Sequence, residues 1–121
     1  MDLKLVHDGT KVRVLDGPYL EDGKPTKQAV EYYESLVSDL DTFRRFAATN
    51  LLDLYNSNWL DDDIGEVDVE GFMARLSNPA VMLFDELGAA MILFEDGGLF
   101  AGHWIEVSVQ NMKPTHTGIA G

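Results

Sequence analysis

The sequence predicts an α+β fold: an antiparallel sheet built from an N-terminal hairpin and a C-terminal meander, with two to three helices packed on it, in one domain over residues 1–121. Three observations lead there. Between Ala80 and Val109, three short apolar runs are separated by Asp85-Glu86-Leu87-Gly88 and Glu95-Asp96-Gly97-Gly98, each ending on a glycine free to take positive φ. Near the N-terminus, Asp8-Gly9 sits between two segments of alternating apolar and polar residues. From Ala29 to Leu54 the apolar residues recur at helical spacing.

Leu3 to Leu15 reads as a hairpin closed by Asp8-Gly9. A two-residue turn there places His7 opposite Thr10, Leu5 opposite Val12 and Leu3 opposite Val14, with Lys4, Lys11 and Arg13 on the other face. Asp16-Gly17-Pro18 breaks the strand, and Glu21 to Pro25 is a polar turn leading into a helix whose first turn or cap is Pro25-Thr26. Ala29, Val30, Tyr33, Leu36 and Val37 share one helical stripe, and the period continues through Leu40, Phe43, Ala47, Leu51 and Leu54. A single helix of that length is long for so small a domain, so two helices are expected. The break falls near Asp39, with Ser38 capping the second helix and Asp41 three residues on. That helix carries Phe43, Phe46, Leu51, Leu52 and Tyr55 and ends at Asn56-Ser57-Asn58. Trp59 to Val69 is irregular. Asp68 caps a short helix holding Phe72, Met73 and Leu76, which Ser77-Asn78-Pro79 stops.

The meander follows as strands over 80–84, 89–94 and 99–109, because runs this short between turns are strands. Val81 to Phe84 and Met91 to Phe94 are apolar without interruption, which predicts cover on both faces or nearly so. The third run alternates, with Ile105, Val107 and Val109 on one face and Glu106, Ser108 and Gln110 on the other. Gly102 inside that run suggests a bulge or a close backbone approach. His103 has the parity of Ile105, and Trp104 that of Glu106. Thr115 to Ile119 makes one last strand.

Composition narrows the function. The chain is 45% hydrophobic and 10% aromatic, as folded proteins are. No apolar run has the roughly 18 residues of a membrane span, and MDLKLVHDG has no features of a signal peptide. With no cysteine, disulfides, zinc–thiolate sites and a cysteine nucleophile are excluded, and a cytoplasmic location fits. The net charge of −12 is uneven: nine acidic against seven basic residues through Arg45, and twelve acidic against only Arg75 and Lys113 beyond it. Such a field repels nucleic acid and anionic membrane and attracts a basic protein, though acidity also serves plain solubility.

Asp61, Asp62, Asp63, Glu66, Asp68 and Glu70 place six acids in ten residues. An EF-hand needs glycine at position 6 and an acid at 12. With Gly65 at position 6, Leu60 stands first and Gly71 twelfth, so that pattern fails. A solvated loop or part of a protein-binding surface fits better, and no metal or cofactor is expected. Of the three histidines, His7 flanks a turn and His116 carries no pattern. His103 reads as a histidine hydrogen-bonded within the fold. No nucleophile, phosphate-loop or metalloprotease motif accompanies them, so no catalytic residue is assigned. Trp59, beside the acidic run, and Trp104, on the strand's polar face, are the candidate anchors for a partner.

The run Leu99-Phe100-Ala101-Gly102-His103-Trp104-Ile105-Glu106-Val107 and the closing Gly118-Ile119-Ala120-Gly121 resemble a family of small, acidic bacterial domains of unknown function. Its members end in an aromatic residue, then Gly-His-x-Ile-x-Val, then a short Ile-Ala-Gly tail, and are linked to immunity proteins of polymorphic-toxin systems. The likeness covers roughly residues 25 to 121, and its specific part is about a dozen residues. Gly102 and His103 match as structural signature positions. Trp104 and Met112-Lys113-Pro114 depart from the pattern, as a variable, partner-specific surface would.

The resemblance and the charge together imply an immunity protein, monomer or homodimer, that neutralises a cognate basic toxin by binding it. A nuclease toxin suits best, since its substrate demands a basic cleft. The contact candidates are Trp59, Asp61, Asp62, Asp63, Glu66, Asp68, Glu70 and Trp104. The alternative is a small-ligand or regulatory domain without a toxin partner, followed distantly by a hydrolase using His103.

Overall fold

Three of the four longest strands form on the apolar runs, and the fourth follows them on a more polar segment. In the computed structural model, which describes residues 2–3, 11–14, 20–21, 24–84 and 88–120, these are β5 (Ser77–Leu83), β6 (Ala89–Glu95), β7 (Trp104–Gln110) and β8 (Lys113–Ala120). They pair sequentially and antiparallel, as a meander must. The third expected strand is shorter than its apolar run. It starts at Trp104, and residues 96–103 form a loop that carries Leu99 and Phe100 into the core. Apolar character marked burial there, not strand.

Burial on the meander alternates. Val81, Leu83, Ala90, Ile92, Phe94, Ile105, Val107 and Val109 are buried, while Met82, Met91, Leu93, Glu106 and Ser108 between them are half-buried. The expectation of cover on both faces or nearly so is met in full on one face only: the helices' buried sides share one core with a single sheet face. The second face holds a half-buried stripe in which Met82 lies opposite Met91.

At the N-terminal side, β1 (Asp2–Leu3) pairs antiparallel with β2 (Lys11–Val14), but in a register two residues from the expected one. Leu3 faces Val12, not Val14. A slip of two leaves every side chain on its own face, so apolar alternation alone does not exclude it. The expected Asp8-Gly9 turn, with Leu5, His7 and Thr10, lies outside the described residues. β2 then joins β5 in parallel, Lys11 beside Ala80 through Val14 beside Leu83, giving the order β1-β2-β5-β6-β7-β8. The sheet is thus antiparallel except at this seam. Its cause is the connection: all the helices lie between β2 and β5, and a helical crossover returns the chain in the same direction. A separate two-stranded ribbon, β3 (Leu20–Glu21) with β4 (Lys24–Pro25), leads into the first helix.

The helices follow the sequence closely. α1 (Lys27–Val37) begins where the Thr26 hydroxyl accepts the Ala29 N–H at 3.1 Å. α2 (Leu40–Leu54) follows after a two-residue break. Ser38 is not its cap. It closes α1 instead, its N–H bonding Glu34 O and its hydroxyl donating to Ser35 O at 2.8 Å. Asp39 opens α2 and accepts the Thr42 hydroxyl at 2.7 Å. Residues 55–59 extend α2 by a π-helical turn, and α3 (Val69–Arg75) is capped by Asp68, which accepts the Gly71 N–H at 2.7 Å.

Tyr33, Leu36, Phe43, Ala47, Leu51, Tyr55 and Phe72 meet the inner sheet face in one cluster. Each large side chain so buried contributes about 1.5–3 kcal/mol relative to exposure. Arg44 locks the layers together. Its Nε donates to Leu76 O at 3.1 Å, a terminal nitrogen reaches Asp41 at 2.9 Å, and the guanidinium lies 5.1 Å from the Phe94 ring centroid.

Candidate functional site

The site is organised by Asp96, which in the sequence alone reads as no more than a turn residue. Asp96 is only 3% exposed. Its carboxylate accepts three backbone N–H groups of the loop after β6: Gly98 at 2.8 Å, Phe100 at 2.8 Å and Gly102 at 3.1 Å. Amides can converge this way only because Gly97, Gly98, Ala101 and Gly102 all have positive φ. They form a nest whose anion is a side chain of the chain itself. An Asp followed at once by two glycines was the available signal.

Held by that nest, Phe100 points inward and becomes the hub of an aromatic cluster. Its ring centroid lies 5.9 Å from Tyr55, 5.5 Å from Trp59 and 6.1 Å from Phe72, all edge-to-face. His103 leaves the loop on the outer side, 5.8 Å from Trp59. Its Nδ1 hydrogen-bonds Phe100 O, and because a carbonyl only accepts, Nδ1 carries the proton. Gly102 is not inside a strand. It sits in the turn before β7 at φ +89°, and a Cβ added there would have nothing within 4 Å, so conformation and not close approach explains it.

The acidic loop is fixed beside this cluster. The Tyr55 hydroxyl donates to Gly65 O at 2.9 Å and accepts the Asp61 N–H at 3.2 Å. The Asn56 side chain pairs with Val67 through both its oxygen and its nitrogen. Ile64 lies against Gly98, joining the acidic loop to the Asp96 loop. From the α3 side, Arg75 donates to Gly97 O at 3.0 Å.

The six acids separate by role. Asp61 accepts the N–H groups of Asp63 and Ile64, Asp68 caps α3, and Glu70 pairs with Arg45 at 2.8 Å across to α2. Asp62, Asp63 and Glu66 are exposed, and their carboxylates have no hydrogen bond or ion pair among the described residues. The structure therefore brings Trp59 and His103 together, leaves Asp62, Asp63 and Glu66 exposed on the loop that Tyr55 and Asn56 tether, and gives Asp61, Asp68 and Glu70 local structural work. Among the described residues, no three carboxylate or imidazole groups converge as metal ligands.

Trp59 and Trp104 are each 38% exposed. Trp104 lies across from Glu95 and Ala120 and lines a hollow of about 250 Å³ with Glu95, Asp96, Gly97, Gly98, Gly102 and His103. His103 therefore touches both tryptophan neighbourhoods. The hollow is below the roughly 300–1,000 Å³ of small-molecule sites. A second hollow, about 310 Å³ at the α1–α2 elbow, is lined by Arg44, but that guanidinium is already bound to Asp41 and Leu76 O.

No described helix is long and apolar enough to cross a membrane. Neither curated proteins nor solved structures gave a match. One family model does match, over residues 4–119, nearly the whole chain. With its α+β fold and its loop-borne aromatic cluster, the chain belongs to DUF2262, a family described as an uncharacterized protein conserved in bacteria.

Proposed function

We propose that this chain is a binding protein without chemistry of its own, an immunity protein that neutralises a cognate basic toxin. The observation that carries the reading is Trp59: exposed, braced edge-on by Phe100 and His103, and followed three and four residues on by Asp62 and Asp63, whose carboxylates are unpaired among the described residues, with Glu66 on the same loop. A rigid aromatic anchor with a charged rim is how tight protein interfaces are built. The net charge of −12 supports a cationic partner, and a nuclease presents the basic cleft that such a surface complements. The resemblance to toxin-linked immunity domains supports the same reading. It acts in the cytoplasm, where an incoming toxin would do its damage.

The experiment uses a toxin encoded directly upstream, with both rate constants measured at low and high salt. Asp62→Lys with Asp63→Lys should slow association and flatten its salt dependence, because rim charges act on the encounter. Trp59→Ala should instead speed dissociation and cost about 2 kcal/mol or more. Unchanged rates in both variants would remove this face from the interface and reduce the acidic loop to a solubility device.

A further inference from the structure

The edge of β8 offers a second surface, and the ladder bonds show which of its backbone groups are open. Phe84 N–H donates to Ala89 O at 3.1 Å, and Asn111 N–H donates to Gly88 O at 3.0 Å. Antiparallel ladders alternate hydrogen-bonded and non-hydrogen-bonded pairs. Carried along the registers, that alternation turns the backbone of Ala90, Ile92 and Phe94 toward β7 and that of Ile105, Val107 and Val109 toward β6. Trp104, Glu106 and Ser108 then bond to β8 through Ala120, Gly118 and His116. What remains is the backbone of Thr117 and Ile119, aimed away from the sheet. Among the described residues no strand lies beyond β8.

Natural edges are usually blunted by proline, lysine or inward charge. Here Lys113 and Pro114 blunt only the start of β8, and residues 115–120 read Thr-His-Thr-Gly-Ile-Ala. Gly118 opens a further gap. A Cβ built there would stand 3.7 Å from Glu106 Oε1 and 3.7 Å from His116 Nε2, so the Glu106 carboxylate and the His116 imidazole flank the bare glycine. Glu106 has no ion pair or hydrogen bond to its carboxylate among the described residues.

We propose that the β8 edge receives an extended segment of a cationic partner, paired through Thr117 and Ile119, with a lysine or arginine opposite Gly118 reaching the Glu106 carboxylate. Strands lie about 4.8 Å apart, a distance these long side chains span when no side chain intervenes. Main-chain pairing supplies affinity in such strand addition, and the side-chain pocket supplies choice. A second copy is a poor occupant. It brings another −12 of charge, and its own β8 has no cation between residues 115 and 120. The inference rests on the proposed reading of the partner as cationic but uses a different surface.

The test is residue-resolved hydrogen exchange on the labelled full chain, with an octapeptide of alternating valine and lysine as probe and its valine–glutamate counterpart as control. In the free protein the Thr117 and Ile119 amides should exchange at least tenfold faster than those of His116 and Gly118. The lysine peptide should slow both by tenfold or more, and the glutamate peptide should not. Gly118→Val, whose Cβ finds only ordinary contacts, and Glu106→Gln should each weaken the lysine peptide about tenfold while the melting temperature holds. Protected Thr117 and Ile119 amides in the dilute free protein, protection that grows with protein concentration alone, or undiminished binding to Gly118→Val would overturn the proposal. Peptide captured around Trp59 with β8 silent would overturn it too and leave the proposed function standing. Protection at β8, with Trp59→Ala binding its toxin unchanged, would do the reverse.

Discussion

A buried carboxylate without compensation costs several kcal/mol, and Asp96 has no ion pair among the described residues. Its compensation is the three loop amides, two on one oxygen and one on the other. Asp96→Ala would strand the buried Phe100 N–H at about 1–3 kcal/mol and give up the bonds from Gly98 and Gly102, exposed residues whose N–H groups water can reach, at about 0.5–1.5 kcal/mol each, so a loss of roughly 3 kcal/mol is expected. Asp96→Asn keeps one oxygen, and oriented toward Phe100 and Gly102 it surrenders only the bond from Gly98, an expected loss of about 1–2 kcal/mol. Urea unfolding of the two variants measures both. Equal losses would mean that the carboxylate's shape, not its acceptor count, holds the loop. Trp59 fluorescence should report the same disturbance, since Phe100, its ring neighbour, hangs from one of those amides.

At the scale of elements, the loop between β6 and β7 is where sequence and structure part company. Gly97 and Gly102 look alike in the sequence and both have positive φ, yet their surroundings differ. A Cβ on Gly97 would meet Arg75 O at 2.5 Å, whereas one on Gly102 meets nothing within 4 Å. Gly102→Ala should therefore cost only the left-handed conformation, about 1–2 kcal/mol. Gly97→Ala should cost more, because the loop must also leave α3, and it should break the Arg75–Gly97 bond. Comparing their denaturation midpoints decides this, and equal midpoints would contradict it. The helices were legible because amphipathic spacing and the Thr26 and Asp68 caps are local signals. So was the meander's order. The parallel partner of β2 and the two-residue register slip were not, because both are set by distant chain and leave the apolar pattern unchanged. Trp59, Asp62, Asp63 and Glu66 were legible as exposed candidates. Asp96 was not, since nothing in Glu95-Asp96-Gly97-Gly98 tells that the Phe100 and Gly102 amides fold back onto it.

Across the whole molecule, acidic charge far exceeds basic, and the described ion pairs are few and on the surface. Lys27–Glu31 and Arg45–Glu70 are both well exposed, and such pairs contribute about 0–1 kcal/mol each. With a net charge of −12, repulsion among the remaining carboxylates is expected to outweigh them. Raising salt from about 0.01 M to 0.15 M shortens the screening length from about 30 Å to 8 Å and should raise the melting temperature. A falling midpoint on calorimetry would show attraction dominating instead. The seam where Lys11 lies beside Ala80 has a consequence for how the chain is made. About 70 residues separate the two strands it joins, and at roughly 5–20 residues per second a ribosome needs some four to fourteen seconds to produce them. For that interval β2 has only β1 to pair with, and its other flank waits for a strand not yet synthesised. Contacts so distant along the chain slow folding, since the loop must close before the pairing gives any return. The β1–β2 pair is thus the part of the newborn protein most in need of shelter, and the one that waits longest for its permanent neighbour.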